Sequence, residues 1–214
     1  MTEVVLSAGR VILEPGRAVN EVYFPSSGVV SLITGMQSGE GVESLTVGRE
    51  GAVGLVEVLA GAPSEQCAVV QIAGSAWRIG GARLRELAVI HPVIASVALR
   101  YAHVSLSALH QGAACNARHD IEPRLCRWLL TCEDRIGDPV VPITQELLAL
   151  MLGVQRTSVT VAAQALQRKG LIQYRRGRVT ILDREGMEHT ACECYRATEA
   201  VNLRIFPGGD SAEV

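Results

Sequence analysis

The chain has 214 residues, of which 48% are hydrophobic and 20% are charged, a composition typical of a globular protein with a substantial core. This composition excludes intrinsic disorder and a collagen-like repeat. The 20 basic and 22 acidic residues give a formal net charge of -2, so a surface for nucleic acid would have to be confined to one region. The six cysteines are scattered, which favours a reducing compartment over a disulfide-stabilised secreted domain.

The N-terminus does not have the pattern of a signal peptide. It carries the acidic Glu3 where such a peptide is basic, and no long apolar run follows, so we expect a cytoplasmic protein. The longest uncharged stretch, residues 101–117, contains polar side chains such as His103 and Asn116 and is shorter than the roughly 20 residues needed to cross a bilayer. We therefore predict no membrane partner.

Residues 4–79 consist of short apolar runs separated by glycines, and eight of the 21 glycines fall between Gly28 and Gly61. Short strands joined by tight turns give this pattern, because glycine adopts positive φ angles at little cost. We predict a small β-roll or barrel and assign residues 1–85 to this domain.

A long helix is predicted next, in residues 86–118, because Pro92 suits the first turn of a helix. Apolar residues recur there at the a and d positions of a seven-residue repeat, with Gln111 as the interruption. Such a seam predicts a homodimer, while the alternative that the stripe packs against its own domain stays open. The predicted dimerisation residues are Ile94, Val97, Tyr101, Val104, Ala108 and Cys115.

Between residues 140 and 182 there are six basic residues and one acidic residue, Glu146, a local charge of +5 within an acidic chain. Thr144 can cap a short helix, Gly153 permits a turn, and a second helix from about residue 156 to 169 ends before Gly170. Two β-prone runs around residues 176 and 177 follow. This order predicts a winged helix-turn-helix in residues 119–188, followed by a tail in residues 189–214.

Polar residues of this segment are candidates for contacts with double-stranded DNA. Arg156, at the start of the second helix, can form a bidentate contact with guanine, whereas the arginines of the wing would meet phosphates. The alternative is that these charges only solvate a surface. The candidate DNA-binding residues are Thr144, Gln145, Gln155, Arg156, Thr157, Ser158, Thr160, Arg175, Arg176 and Arg178.

The sequence resembles the Crp/Fnr family of bacterial transcription regulators over nearly its whole length. The motifs that carry the resemblance are VYFPSSGVVSL at residues 22–32, VGREG at 47–51, TQELLALMLGV at 144–154, RTSVT at 156–160 and YRRGR at 174–178. The resemblance implies an α+β chain with a cyclic-nucleotide-binding-like β-roll, a long dimerisation helix and a C-terminal winged helix-turn-helix. It also implies a homodimer on a palindromic operator, with RNA polymerase as a further partner.

Two departures from the family pattern affect the expected ligands. Members that bind cyclic AMP have a glutamate and an arginine where this chain has Leu55 and residues 65–68, so we expect a regulator that does not depend on cyclic AMP. In the second helix, Thr157 and Val161 replace a glutamate and an arginine of the cyclic-AMP receptor protein, which implies a different operator. The alternative is a regulator of this family that responds to a cyclic nucleotide or to redox state.

The cysteines and histidines suggest no catalytic or metal site. His189, Cys192 and Cys194 could form a metal-binding trio, but a fourth ligand is not evident, so packing cysteines and no metal are predicted. No cysteine precedes Cys67, which argues against the iron-sulfur sensor of the family's oxygen-responsive members. Cys115 could face its symmetry mate in a disulfide or be an ordinary buried thiol. Phosphate-loop, HExxH and GxSxG motifs are absent, so no enzyme and no cofactor are predicted, and the effector is not identified.

Overall fold

The computed structural model describes residues 1–37 and 39–207. The N-terminal part of the described chain contains, in order, β1 (Thr2–Leu6), β2 (Val11–Leu13), β3 (Glu21–Pro25), β4 (Val29–Gly35), β5 (Gly41–Val47), α1 (Leu55–Ala60), β6 (Cys67–Ile72), β7 (Gly74–Gly80), α2 (Gly81–Ile90) and α3 (Pro92–Arg118). The C-terminal part contains α4 (Ile121–Ile136), β8 (Val140–Pro142), α5 (Gln145–Leu152), α6 (Arg156–Arg168), β9 (Ile172–Arg175), β10 (Arg178–Ile181), α7 (Arg184–Thr190) and α8 (Cys194–Ile205).

The first seven strands form the predicted β-roll. Two antiparallel sheets, with strand orders β1-β7-β3 and β2-β6-β4-β5, enclose an apolar core that includes Val22, Val30 and Val70. The turn before β4 requires glycine, because Gly28 has a φ of 79° and a Cβ there would lie 2.5 Å from the carbonyl oxygen of Ile72. The predicted boundary at residue 85 lies inside α2, so this helix joins the roll to α3 without a break at that point.

Helix α3 is 27 residues long and begins at Pro92 as predicted. Among the described residues it is the one helix that is long and apolar enough to cross a membrane. Length and composition alone do not distinguish a membrane span from a helix that packs against protein. The prediction of no membrane-spanning segment therefore cannot be based on length alone, and it depends on what the faces of α3 contact.

Five of the six predicted dimerisation residues are buried or half-buried on the face of α3 that is turned toward their own protomer, whereas Val97 is 43% exposed. Tyr101 donates its hydroxyl hydrogen to the carbonyl oxygen of Ala52 at 2.8 Å, and Ile94 packs against the core of the β-roll. Cys115 is fully buried beside Cys192. At these three positions the stripe packs against its own protomer, which is the alternative that the sequence analysis left open. Cys115 is therefore not placed to face a symmetry mate.

The opposite face of α3 carries a second apolar stripe, which we call the outer stripe. Its members recur at alternating intervals of four and three residues, the spacing of a coiled-coil seam. Three of its leucines are exposed in the protomer, with Leu99 at 73%, Leu106 at 51% and Leu109 at 37%. The outer stripe consists of Ala95, Leu99, Ala102, Leu106, Leu109 and Ala113.

The C-terminal half folds around α4, which buries Leu125 and Leu129 against the helix pair α5 and α6. Strands β8, β10 and β9 form a small antiparallel sheet beside them. The sequence analysis did not predict β8, because three residues ending in Pro142 give no alternating pattern. The predicted tail is structured as far as described: α8 packs along α3, and residues 208–214 of that tail lie outside the described part of the chain.

Candidate nucleic-acid interface

Helices α5 and α6 form the predicted helix-turn-helix. Thr144 caps α5 by accepting a hydrogen bond from the backbone N–H of Leu147 at 3.3 Å. Gly153 ends the helix with a φ of 62°, and a Cβ there would lie 2.7 Å from Cγ2 of Val42. Glycine is therefore required in this turn both by its backbone conformation and by the close approach of β5.

Helix α6 is amphipathic, with Val159 and Leu166 fully buried against α4 and its other side exposed. Arg156 is exposed at the first position of the helix, and its Nη1 lies 2.7 Å from Oε1 of Glu146. An ion pair between two exposed side chains contributes little to stability, so Arg156 can exchange this carboxylate for another acceptor.

The other predicted DNA-binding residues of the two helices are of two kinds: side chains exposed to solvent and side chains that form hydrogen bonds within the protein. Gln155 and Thr157 are exposed at the start of α6, while Ser158 is half-buried. Thr160 donates its hydroxyl hydrogen to Oε1 of Gln145 at 2.9 Å. These two residues, both predicted to contact DNA, therefore hold α5 against α6. They position the exposed end of α6 in addition to offering polar groups of their own.

Strands β9 and β10 form the predicted wing. Arg176 and Gly177 connect them with φ angles of 46° and 74°, the signature of a two-residue hairpin turn with both central residues left-handed. Arg175 and Arg178 pair across the strands directly beside this turn. All three arginines are exposed, and no ion pair in the described part of the chain includes them.

The wing and the helix pair face the same region of the surface. Gly177 lies close enough to Thr144 that a Cβ on the glycine would be 3.6 Å from the threonine Cγ2. The start of α5, the start of α6 and the tip of the wing are thus neighbours. Together they present the predicted basic residues, and within residues 1–37 and 39–207 the only ion pair of these arginines is the one between Arg156 and the exposed Glu146.

The comparisons with known proteins assign both halves of the chain. Residues 3–91 match the cyclic nucleotide-binding domain family, and residues 123–190 match the Crp-like helix-turn-helix domain family. The chain belongs to the Crp/Fnr family. It is a transcription regulator with a helix-turn-helix DNA-binding domain. A comparison with curated protein sequences gives no significant match.

Several solved structures have the same fold as this chain. FixK2 from Bradyrhizobium japonicum superposes with a TM-score of 0.76 at 16% identity, covering 89% of this chain and 97% of FixK2. TTHB099, a CRP-family regulator from Thermus thermophilus, gives 0.73 at 20% identity over 89% and 96% of the two chains. The c-di-GMP-responsive regulator CLP from Xanthomonas campestris gives 0.66 at 19% identity over 85% and 94%. At these identities the likeness establishes the fold.

The β-roll of this Crp/Fnr regulator has an apolar residue at the position where the sequence analysis noted the missing glutamate. Leu55, at the position where cyclic-AMP-binding members have glutamate, is 6% exposed and belongs to the apolar core. The sequence has no basic residue between Arg49 and Arg78, and Arg78 is paired with Glu21 at 2.9 Å. A cation does reach α1 from outside this stretch, because Nη1 of Arg85 in α2 donates to the carbonyl oxygen of Val58 at 3.4 Å.

One cluster of this regulator was missed by the sequence analysis. Cys192 and Cys194 are joined by Cys115 and His119 from the end of α3, which supply the ligands that were not evident. His189, the third residue of the trio considered in the sequence analysis, lies outside the cluster. Its Nδ1 is 2.8 Å from the carbonyl oxygen of Glu185. The signal in the sequence was the spacing of four between residues 115 and 119, which places both side chains on one face at the end of a helix.

Proposed function

We propose that the regulator acts as a homodimer that binds a palindromic DNA operator through α6 and the wing. The observation that carries the proposal is the common exposure of Arg156, Arg175, Arg176 and Arg178 on neighbouring elements of a helix-turn-helix. In this arrangement Arg156 reads a guanine in the major groove, and the arginines of the wing contact phosphates and set the position of the helix.

The dimer seam in this proposal is the outer stripe of α3. Coiled-coil spacing together with exposed leucines favours this face over the predicted seam, whose members Tyr101 and Cys115 are engaged within the protomer. A lipid environment is a poorer explanation of the stripe, because Arg100 and His103 are exposed on the same helix and the other face of α3 holds the β-roll. We therefore retain a cytoplasmic dimer without a membrane partner.

The proposed regulator does not require cyclic AMP. The support is the buried Leu55 and the lack of a basic residue between Arg49 and Arg78 in the sequence, both of which disfavour a cyclic phosphate. Contact with RNA polymerase follows from the family resemblance and stays a prediction. Calorimetric titration of the full chain with cyclic AMP should give no binding heat, and saturable binding would contradict this part of the proposal.

Selection of bound sequences from a random duplex library, using the full chain, tests the DNA-binding proposal. The enriched sequences should contain an inverted repeat with half-sites about one helical turn, or ~34 Å, apart. Arg156→Ala should then lose about 1–3 kcal/mol of preference at one base pair of each half-site. Arg17→Ala is the matched control, because this arginine of the β-roll has a side chain that is 79% exposed. Enrichment of no sequence, or an unchanged preference in Arg156→Ala, would contradict the proposal.

A further inference from the structure

Four metal-ligating side chains from two segments of the chain, the end of α3 and the start of α8, meet in one cluster. The ligand atoms of Cys115, His119, Cys192 and Cys194 all lie within 4.8 Å of one another. Sγ of Cys115 is 3.5 Å from Sγ of Cys192, and Sγ of Cys194 is 3.6 Å from Nδ1 of His119. The three cysteines are buried, and His119 is half-buried at the break between α3 and α4.

The separations of 3.5 and 3.6 Å are close to the edges of a tetrahedron around a single ion, and the upper limit of 4.8 Å for the other pairs allows one ion to bind all four atoms. Sulfurs bound to one zinc ion at ~2.3 Å lie about 3.8 Å apart in that geometry, with the sulfur-to-nitrogen edges slightly shorter. A disulfide would bring two of the sulfurs to ~2.05 Å, well inside the separation of Cys115 and Cys192. A donor set of three thiolates and one imidazole suits zinc and disfavours the hard cations calcium and magnesium.

The surroundings orient the donors as the outer shell of a metal site does. Nε2 of His119 lies 3.1 Å from a carboxylate oxygen of Glu193, so the ring can donate from Nε2 and keep the lone pair of Nδ1 toward the cysteines. Nε2 of Gln111 donates to Sγ of Cys194 at 3.0 Å. Ligating histidines commonly have this arrangement, with the second ring nitrogen bound to a carboxylate.

The charge of the site is also balanced from within the fold. Three thiolates and one divalent cation leave a net charge of -1 in a buried place, which needs compensation. Arg124 and Arg127 of α4 both interact electrostatically with Cys115. Nη2 of Arg124 donates to the carbonyl oxygen of Leu152, but neither arginine forms an ion pair with a carboxylate in the described structure, and each has a buried Nε without a hydrogen-bond partner.

We infer that Cys115, His119, Cys192 and Cys194 bind one structural zinc ion. The ion links the C-terminal end of α3 and the hinge at His119 to the beginning of α8. It thereby fixes the α7–α8 segment, which follows the wing, to the long helix of the β-roll half. The inference stands independently of DNA binding, since it concerns only these ligands and their neighbours.

Metal analysis of the purified full chain tests the inference directly. The protein, prepared without chelator or polyhistidine tag, should contain about one zinc ion per chain. Replacement by Co²⁺ should give the visible absorption bands of tetrahedral cobalt with thiolate ligands. Cys192→Ser should lose the zinc and the cobalt bands, whereas Cys67→Ser, which changes a cysteine outside the cluster, should keep both.

A second pair of variants guards against a simple folding defect. Glu193 is 77% exposed in its side chain, so Glu193→Ala should fold normally and yet lower zinc affinity by about 10- to 100-fold through the loss of the His119 contact. Glu185→Ala, on the exposed surface of α7, should not change the affinity. Full-length protein that lacks zinc and fails to take up Co²⁺ would overturn the inference. So would a Cys115–Cys192 disulfide, the absorption of an iron-sulfur cluster, or zinc retained by Cys192→Ser.

Discussion

Trp128 donates its indole N–H to Oε2 of Glu43 at 2.6 Å, and this bond joins the two halves of the regulator. Glu43 belongs to β5 of the roll, and Trp128 is in the middle of α4 beneath the helix-turn-helix. Ser31 of β4 donates to the other carboxylate oxygen. A carboxylate partly buried between two domains is tolerated because donors from both domains reach it.

A second link runs parallel to the first, between Glu50 after β5 and Arg135 near the end of α4, with Nη2 and Oε1 2.7 Å apart. Burial alone would raise the pKa of Glu50, but the charge and hydrogen bonds of Arg135 outweigh it and the pKa is lowered. Both links attach α4 to the same edge of the roll. The position of the DNA-binding half relative to the β-roll is thus set by α4 and β5.

Replacing Trp128 with phenylalanine should destabilise the protein without emptying the core. The variant keeps an aromatic ring but leaves Glu43 with one donor fewer, which should reduce the free energy of unfolding by about 1–3 kcal/mol. Trp77→Phe is the matched control, because Trp77 is 46% exposed and should change stability by no more than about 0.5 kcal/mol. Urea unfolding followed by circular dichroism measures both, and equal effects of the two changes would contradict the role of the bond.

The buried Glu43 should also give the regulator a specific pH dependence. Burial raises the pKa of Glu43 above its ordinary value of 4.5, although the hydrogen bonds from Ser31 and Trp128 partly offset this effect. The folded protein therefore keeps a proton at pH values where the unfolded chain has lost it. Its free energy of unfolding falls as the pH rises from 4.5 through the raised pKa, and no further change from this group occurs above it.

Glu43→Gln isolates this contribution, because glutamine carries no titrating proton. The stability of the variant minus that of the wild type should increase with pH through this window and then become constant. Urea unfolding of both proteins at a series of pH values gives the difference, in which the other titrating groups cancel. A difference that decreases with pH would show that the folded protein favours ionised Glu43 more than water does.

The helix-turn-helix and the wing could be predicted because their signals are local. Thr144, Gly153 and Gly170 mark helix ends by their own chemistry, and Gly177 marks the hairpin, so neighbours in sequence suffice. The face of α3 could not be assigned in the same way. The apolar stripe that contains Tyr101 and the outer stripe that contains Leu106 both have helical spacing in the sequence. Only the packing of the roll against α3 decides which stripe is buried.

The cysteine cluster and α8 were missed for a related reason. Cys115 and Cys192 are 77 residues apart in the sequence, and no local spacing predicts that they meet. Helix α8 packs mainly against α3, which is distant from it in the sequence. Because residues 194–205 carry no local signal of this contact, the sequence analysis assigned them to a tail. The link between Glu43 and Trp128 was invisible as well, because it depends on how two separately predicted domains pack.

If the outer stripe is the seam of the proposed dimer, a charged substitution in the stripe should dissociate that dimer. Leu106→Glu places a charge at an exposed position of the stripe and should convert the dimer to a folded monomer, because like charges would meet across the seam. Leu182→Glu, at a leucine that is 58% exposed and distant from the stripe, should leave the dimer unchanged. Val104→Glu should instead lower the stability of the protomer, since Val104 faces the roll and α8. Sedimentation equilibrium and thermal unfolding separate these outcomes, and a dimeric Leu106→Glu would contradict the assignment.

The turn of the wing allows the charge of one arginine to be removed without disturbing the hairpin. Arg176 has a φ of 46°, a left-handed conformation that asparagine adopts more easily than most residues, so Arg176→Asn should keep the turn and the melting temperature. If Arg176 contacts phosphate, the variant should bind all duplexes more weakly with unchanged sequence preference. The slope of the logarithm of the association constant against the logarithm of the salt concentration should become shallower by about 2 for a dimer. Each of the two wings loses one phosphate contact, and each contact contributes ~0.9 to the slope. Fluorescence anisotropy at several salt concentrations measures the slope, with Arg17→Asn on the β-roll as the control. A slope equal to that of the wild type would place the wing away from the DNA backbone.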